Sequence, residues 1–130
     1  MMGSRLGHLS IRMAGADVML VGLFSAKDKQ VDAQLDSLEA SVEALGGRVV
    51  GRQIQRRGVS RGGAERMTLP LSRRTLLSSG KAREVADACR SAAVAMAVFV
   101  NPLTEHQRDV LGELFGCPVV GGDDLIEELA

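Results

Sequence analysis

The side chains with the most scope for chemistry lie between Arg48 and Arg83, where ten of the sixteen Lys and Arg residues gather and Glu65 is the only acid. Arg56, Arg57, Arg61, Arg66, Arg73, Arg74 and Lys81 are the candidate contact residues of this stretch. A guanidinium presents a fork of donors that matches phosphate oxygens, and a run of like charge repels itself until an anion meets it. Phosphate, and RNA as its cellular source, is the partner this composition suggests. The other reading is a solvated basic loop, which charge alone does not separate from a binding surface. The formal net charge of +0 hides the asymmetry, because the rest of the chain carries the compensating acids.

A second candidate sits at the end of the same stretch. Ser78, Ser79, Gly80 and Lys81 precede an amphipathic segment, so free backbone N–H groups, a positive dipole end and a lysine would meet at one helix start. This is a possible anion or nucleotide site, but it is not a P-loop. That motif needs glycine where Thr75 stands and Ser or Thr where Ala82 stands. The plainer reading is a helix capped by Ser79.

Other chemistries find no support. His106 stands beside Glu105 without a nucleophile in sequence reach, and reads as a surface histidine. Cys89 falls on an apolar helix face and reads as a small core residue, while Cys117 precedes Pro118 with no cationic neighbour to activate it. Two cysteines and two scattered histidines do not make a metal site. A phosphoacceptor would need acids after the first and third strands, where Leu23-Phe24 and Val100-Asn101 stand, and a dinucleotide fold needs Gly-x-Gly-x-x-Gly, where GLFSAK stands. No enzymatic activity, cofactor or metal is expected. Phe24, Phe99 and Phe115 are the only aromatic residues, so base stacking has few platforms and any RNA contact would run through phosphates.

The elements that must position these groups are legible in the hydrophobic pattern. With 130 residues the chain suits one domain. Residues 1–15 read as a flexible tail and 16–130 as the domain. Ala16 to Phe24 is a continuous apolar run, as expected of a strand buried on both faces. Val31, Leu35, Leu38, Val42 and Leu45 form one stripe of a first helix, with Ser25 and Asp28 as its expected cap and Gly46-Gly47 as its end. That helix also carries an acidic series, Asp28, Asp32, Asp36, Glu39 and Glu43, read as a solvated face. Arg48 to Gln55 is a second strand in which Gly51 suggests a bulge, followed by an aperiodic connection from Arg56 to Leu77. A second helix buries Ala82, Val85, Ala88, Cys89 and Ala92, and Ala93 to Val100 is a third strand. Thr104 and Gln107 form a capping box for a third helix, burying Val110, Leu111, Leu114 and Phe115. Pro118 to Val120 is a short fourth strand, and Asp123-Asp124 open a terminal helix. Alternating buried strands and amphipathic helices predict a single α/β domain, a four-stranded mainly parallel sheet with helices on both faces. No stretch is long and apolar enough to span a membrane, and a cytoplasmic protein is expected.

VMLVGLF, QVDAQLDSLEASVEALGGRVVGRQIQRR, TLLSSGKAREVADAC and AVFVNPLTEHQRDVLGELFGCPVV, in that order, resemble the amino-terminal domain of the HflX family of translational GTPases. The resemblance runs from Val18 to Ala130. Ser78-Ser79-Gly80-Lys81 stands for the family's Gly-x-Gly-Lys turn, and Leu103 to Gln107 for its Leu-Ser-Pro-x-Gln turn. The chain departs from the pattern at Ser78, where the family has glycine, and at Gly121-Gly122, where the family has Asp-Arg. It contains neither the helical hairpin nor the GTPase motifs, so GTP hydrolysis by the family's route is not expected of it. Family members bind the large ribosomal subunit and split stalled or idle ribosomes, and an ATP-binding role has been attributed to their amino-terminal domain. The resemblance implies contact with ribosomal RNA or the large subunit. Two rivals stand beside that reading: a protein-interaction module, including head-to-tail association of its own copies, and a nucleotide-binding domain using Ser78 to Lys81.

Overall fold

The computed structural model describes residues 13–57 and 75–129. Strand β1 (Asp17–Ser25) is central to a parallel sheet, flanked by β2 (Arg48–Arg57) on one side and β3 (Met96–Phe99) on the other, with β4 (Val119–Gly121) at the far edge. Helices α1 (Val31–Ala44), α2 (Ser79–Ala92), α3 (Glu105–Phe115) and α4 (Gly122–Leu129) alternate with the strands. The expected single α/β domain is what forms, and among the described residues every strand pairing is parallel.

The chain moves outward from β1 to β2, then returns across β1 to β3 and onward to β4. Crossovers of one hand then place α1 on one face and α2 with α3 on the other. The core follows that division. Met19, Val21 and Leu23 of β1 join Ala97 and Phe99 of β3 beneath α2 and α3, which contribute Val85, Leu111 and Phe115. Val18, Leu20 and Phe24 point the opposite way, with Met96 and Val98, toward Leu35, Leu38 and Val42 of α1 and Leu125 of α4. Scarce aromatics are placed where they fill most space: the Phe99 and Phe115 rings stack with centroids 6.3 Å apart. Gly22 is required by the third, because a Cβ there would lie 2.6 Å from the Phe24 ring.

Several boundaries differ from the sequence reading. Met13, assigned above to the tail, is fully buried, and Gly15 donates to the Gly46 carbonyl; residues 1–12 lie outside the described residues. The first helix begins only at Val31, with Gln30 as an N-cap that makes no side-chain cap bond. Ser25 and Asp28 spend their side chains on a local turn instead, accepting from the backbone N–H groups of Lys27 and Gln30. Strand β2 runs through Arg56 and Arg57, beyond the expected end at Gln55, because both pair with the last residues of β1. The bulge near Gly51 is present: the register shifts so that Val18 faces Val49 while Met19 faces Gly51. In α2 the buried inner face includes Ala86 and excludes Ala92, which is exposed. The capping box of α3 forms as the spacing predicted, with Thr104 and Gln107 bonded in both directions.

Leu38 is 8% exposed on the stripe of α1 that faces the sheet. Leu38→Ala is expected to cost roughly 2–5 kcal/mol, as truncation of a buried leucine does. A chemical denaturation curve checks this, and a midpoint equal to wild type would reject the packing described.

Candidate functional site

Among the described residues, β1 to β4 end and α1 to α4 begin at one edge of the sheet. The basic connection leaves β2 there after Arg57 and returns at Thr75. Its two ends are joined by one amide. Gln55 Nε2 donates to Ser78 Oγ at 2.9 Å, and the Ser78 backbone N–H donates to Gln55 Oε1 at 3.1 Å. Ser78 Oγ also accepts from the Lys81 N–H at 3.2 Å, which makes Ser78 the N-cap of α2 in place of the expected Ser79. The backbone conformation shows why. Ser78 has the extended backbone a cap needs, φ −63° and ψ 156°, whereas Ser79 is already the first helical residue. Just before it, Leu76 adopts φ 71°, an unfavourable left-handed conformation for a branched side chain, and Leu77 is fully buried. The buried leucine and the Gln55–Ser78 pair fix the chain directly after that strained residue.

The candidate cations fall into three groups. Arg56 is held by the protein: its Nη1 donates to the carbonyls of Ser25, Ala26 and Asp28 at 3.3, 3.3 and 3.1 Å, covering the turn between β1 and α1. Arg57 is half-buried at the end of β2, opposite Ser25. Arg61, Arg66, Arg73 and Arg74 lie outside the described residues. Lys81 is 17% exposed, and its Nζ bonds Glu84 Oε2 at 2.8 Å within the first turn of α2. Ser79 and Gly80 are exposed beside it, with open space where a Gly80 side chain would be. The structure thus brings Ser78 to Lys81 next to the end of β2.

In doubly wound sheets ligands meet the strand ends where the chain reverses direction, here between β1 and β3. That position is filled by protein. Strand β3 has four residues against nine in β1, which leaves the end of β1 without a neighbour on that side. Val100 N–H donates to the Val21 carbonyl at 2.8 Å, and Asn101 then substitutes for a strand residue. Its Oδ1 accepts from Leu23 N–H at 2.9 Å and its Nδ2 donates to Leu23 O at 3.0 Å. The neighbouring start of α1 carries Asp32 in its first turn and Asp28 just before, which disfavours an anion.

The acidic face of α1 is met in part by the chain's own arginine. Arg52 Nη2 lies 2.8 Å from both Asp36 Oδ1 and Glu39 Oε1. The hydrogen bond to Asp36, then that to Glu39, pushes the Arg52 pKa up from its ordinary value. Pairs this exposed are worth about 0.2–1 kcal/mol each, so they orient Arg52 more than they stabilise the fold. His106 is exposed on α3. Among the described residues no group of three or more His, Cys, Asp or Glu could hold a metal ion, and no helix is long and apolar enough to cross a membrane.

Sequence reasoning missed Gln55 and Asn101, the two amides that close this edge. Each stands within two residues of a strand end, and a side chain offering both donor and acceptor at such a place is the signal that was available.

The fold and this edge define a small doubly wound module whose strand-reversal point is closed by its own side chains. The sequence model of the GTP-binding GTPase N-terminal family matches residues 32–129, and the chain belongs to that family. Comparison with curated proteins finds no match.

The capping assignment separates two serines that sequence alone does not. Ser78→Ala is expected to cost about 0.5–2 kcal/mol through the lost cap, and Gln55→Leu about 1–3 kcal/mol through the Ser78 N–H left without its acceptor. Ser79→Ala should stay within about 0.5 kcal/mol of wild type, as exposed sites do. Urea midpoints of the three variants check the order.

Proposed function

We propose that this GTPase-associated domain is a non-enzymatic module that binds structured RNA on the large ribosomal subunit through phosphate contacts. The observation that carries the reading is the Gln55–Ser78 pair. It ties the two ends of the arginine-rich connection together at the carboxyl edge of the sheet, beside Lys81 and the first turn of α2. Cations delivered from one anchored point lose less freedom on meeting a phosphate surface than cations on an untethered tail. Membership of the GTP-binding GTPase N-terminal family supports a place in GTPase function, and the ribosome follows from the resemblance to HflX proteins. The module then acts in the cytoplasm, where ribosomes are.

A nucleotide site at Ser78 to Lys81 is the weaker reading. Ser78 Oγ is already engaged by Gln55 and the Lys81 N–H, and Lys81 is paired with Glu84. Lys81 contributes to phosphate contact by exchanging Glu84 for the ligand.

Affinity for large-subunit RNA should fall steeply with salt, each phosphate contact adding about −0.9 to the log–log slope on a duplex-like partner. Replacing Arg73 and Arg74 together by alanine should weaken binding for all sequences alike and flatten the slope by up to about two units. Lys81→Gln should weaken binding with the fold intact, because glutamine is a good helix former. Gradient sedimentation with isolated large subunits and filter binding at several salt concentrations provide the measurements. An Arg73→Ala/Arg74→Ala double variant that sediments with large subunits as wild type does would overturn these contacts.

A further inference from the structure

The two edges of the sheet are not alike. At one, β4 has three residues, too short a template for another chain. At the other, β2 runs for ten residues without proline, and among the described residues no strand lies beyond it. The hydrogen bonds of β1 show which backbone groups of β2 face outward. Leu23 N–H and O are both taken by Asn101, and Val21 O by Val100, so the odd-numbered residues of β1 turn toward β3. In a parallel ladder, the residue opposite one that turns away supplies the bonds of that pair. Val21 is opposite Gln53 and Leu23 opposite Gln55, so the backbones of Gln53 and Gln55 face β1. By alternation the N–H and C=O groups of Arg52, Ile54 and Arg56 face away from the sheet.

Edge strands are ordinarily guarded by charge, or by a bulge that twists them away from a partner. Neither guard covers this segment. The bulge lies earlier, between Val49 and Gly51, and the register from Gly51 to Arg57 is continuous. Arg52 is drawn back onto Asp36 and Glu39 of α1, and Arg56 onto the carbonyls of the β1–α1 turn. Ile54, between them, packs against the cluster under α1. Val50, 41% exposed, is the one exposed large hydrophobic among the described residues.

We propose that β2 pairs antiparallel with β2 of a second copy of this chain, joining two sheets across a two-fold axis at Gln53. Charge selects both the direction and the register. Parallel pairing would bring the two basic connections to the same end, whereas antiparallel pairing sends them to opposite ends. An axis at Arg52 sets that residue against itself, and an axis at Ile54 sets Arg52 against Arg56. Like charges directly opposite each other are destabilising. An axis at Gln53 opposes Arg52 to Ile54 and Arg56 to Val50, with amide against amide at the centre. Axes closer to either end of β2 leave fewer of its residues paired. Arg52 and Ile54 both face outward, so each Arg52–Ile54 pair exchanges N–H···O bonds in both directions. Val50 is covered by the aliphatic stem of the Arg56 opposite. The axis is perpendicular to the sheet, so both α1 helices lie on one face of the joined sheet. There each Arg52 offsets the Asp36 and Glu39 that would otherwise repel across the seam. The interface is isologous and closes at two copies.

Sedimentation velocity of the nuclease-treated full chain over a range of concentrations is the test. The mass is expected to rise about twofold with concentration and to stop there. Gln53→Cys sets a thiol opposite itself in a non-hydrogen-bonded pair, with Cα atoms about 4.5 Å apart, a separation a disulfide spans. Mild oxidation should then link two chains through position 53, identified by peptide mapping. Ile54→Pro removes an outward N–H and no bond to β1, so the dimer should be lost with the circular dichroism spectrum unchanged. A mass that stays monomeric at every concentration rules the pairing out. So does growth past the dimer, a dimer of Gln53→Cys chains that do not link at position 53, or a folded Ile54→Pro chain that dimerises as wild type does. Where Ile54→Pro does not fold, the wild-type mass and the cross-link decide.

Discussion

Every other element takes its place from β1. A strand buried on both faces has no water to satisfy its backbone, so both of its edges must be paired and both of its faces covered. β2 and β3 pair its edges, and the alternation of its side chains divides the core into two clusters, one under α1 and α4 and the other under α2 and α3. The same requirement explains Asn101. Where β3 stops short, the end of β1 still needs a donor and an acceptor, and an amide side chain supplies both. Satisfying β1 thus uses the position at which folds of this architecture commonly receive a ligand.

Along the outer rim the arginines divide by position along the chain. Arg48 pairs with Asp17, Arg52 with Asp36 and Glu39, and Arg56 with three carbonyls of the β1–α1 turn. Charge counted in the sequence between Arg48 and Arg83 is therefore not all charge offered to a partner. The β2 arginines organise acids and carbonyls already present in the fold. The remaining candidates lie beyond Arg57 and at the start of α2, and the Gln55–Ser78 pair gathers both ends of that segment to one place.

The face beneath α2 and α3 has a different character. Its apolar cluster is completed by two sulfurs contributed from separate elements, and Arg90 reaches over the α2–α3 contact to the end of α3. Helix α2 joins this face to the rim, carrying Lys81 at its start and Cys89 in its last turns.

The sequence by itself determined the order and type of the elements, the buried stripe of α1, the bulge beside Gly51 and the Thr104–Gln107 box. Each of these is a local property, set by side-chain periodicity or by groups three residues apart. It also determined which residues of the rim are cationic, and the motifs that place the chain in its family. Tertiary structure alone decided what those residues do. The α1 start moved to Val31 because Ser25 and Asp28 found backbone donors within the preceding turn. The cap of α2 fell to Ser78 because Gln55, on a strand distant in sequence, stood within hydrogen-bonding reach. Arg56 became a structural cation because β2 extends alongside the end of β1, and Cys89 and Cys117 border one apolar cluster because α2 and α3 share a face. These outcomes depend on pairings between segments far apart in the chain, whose geometry is set by strand order and packing and leaves no periodic trace in the sequence.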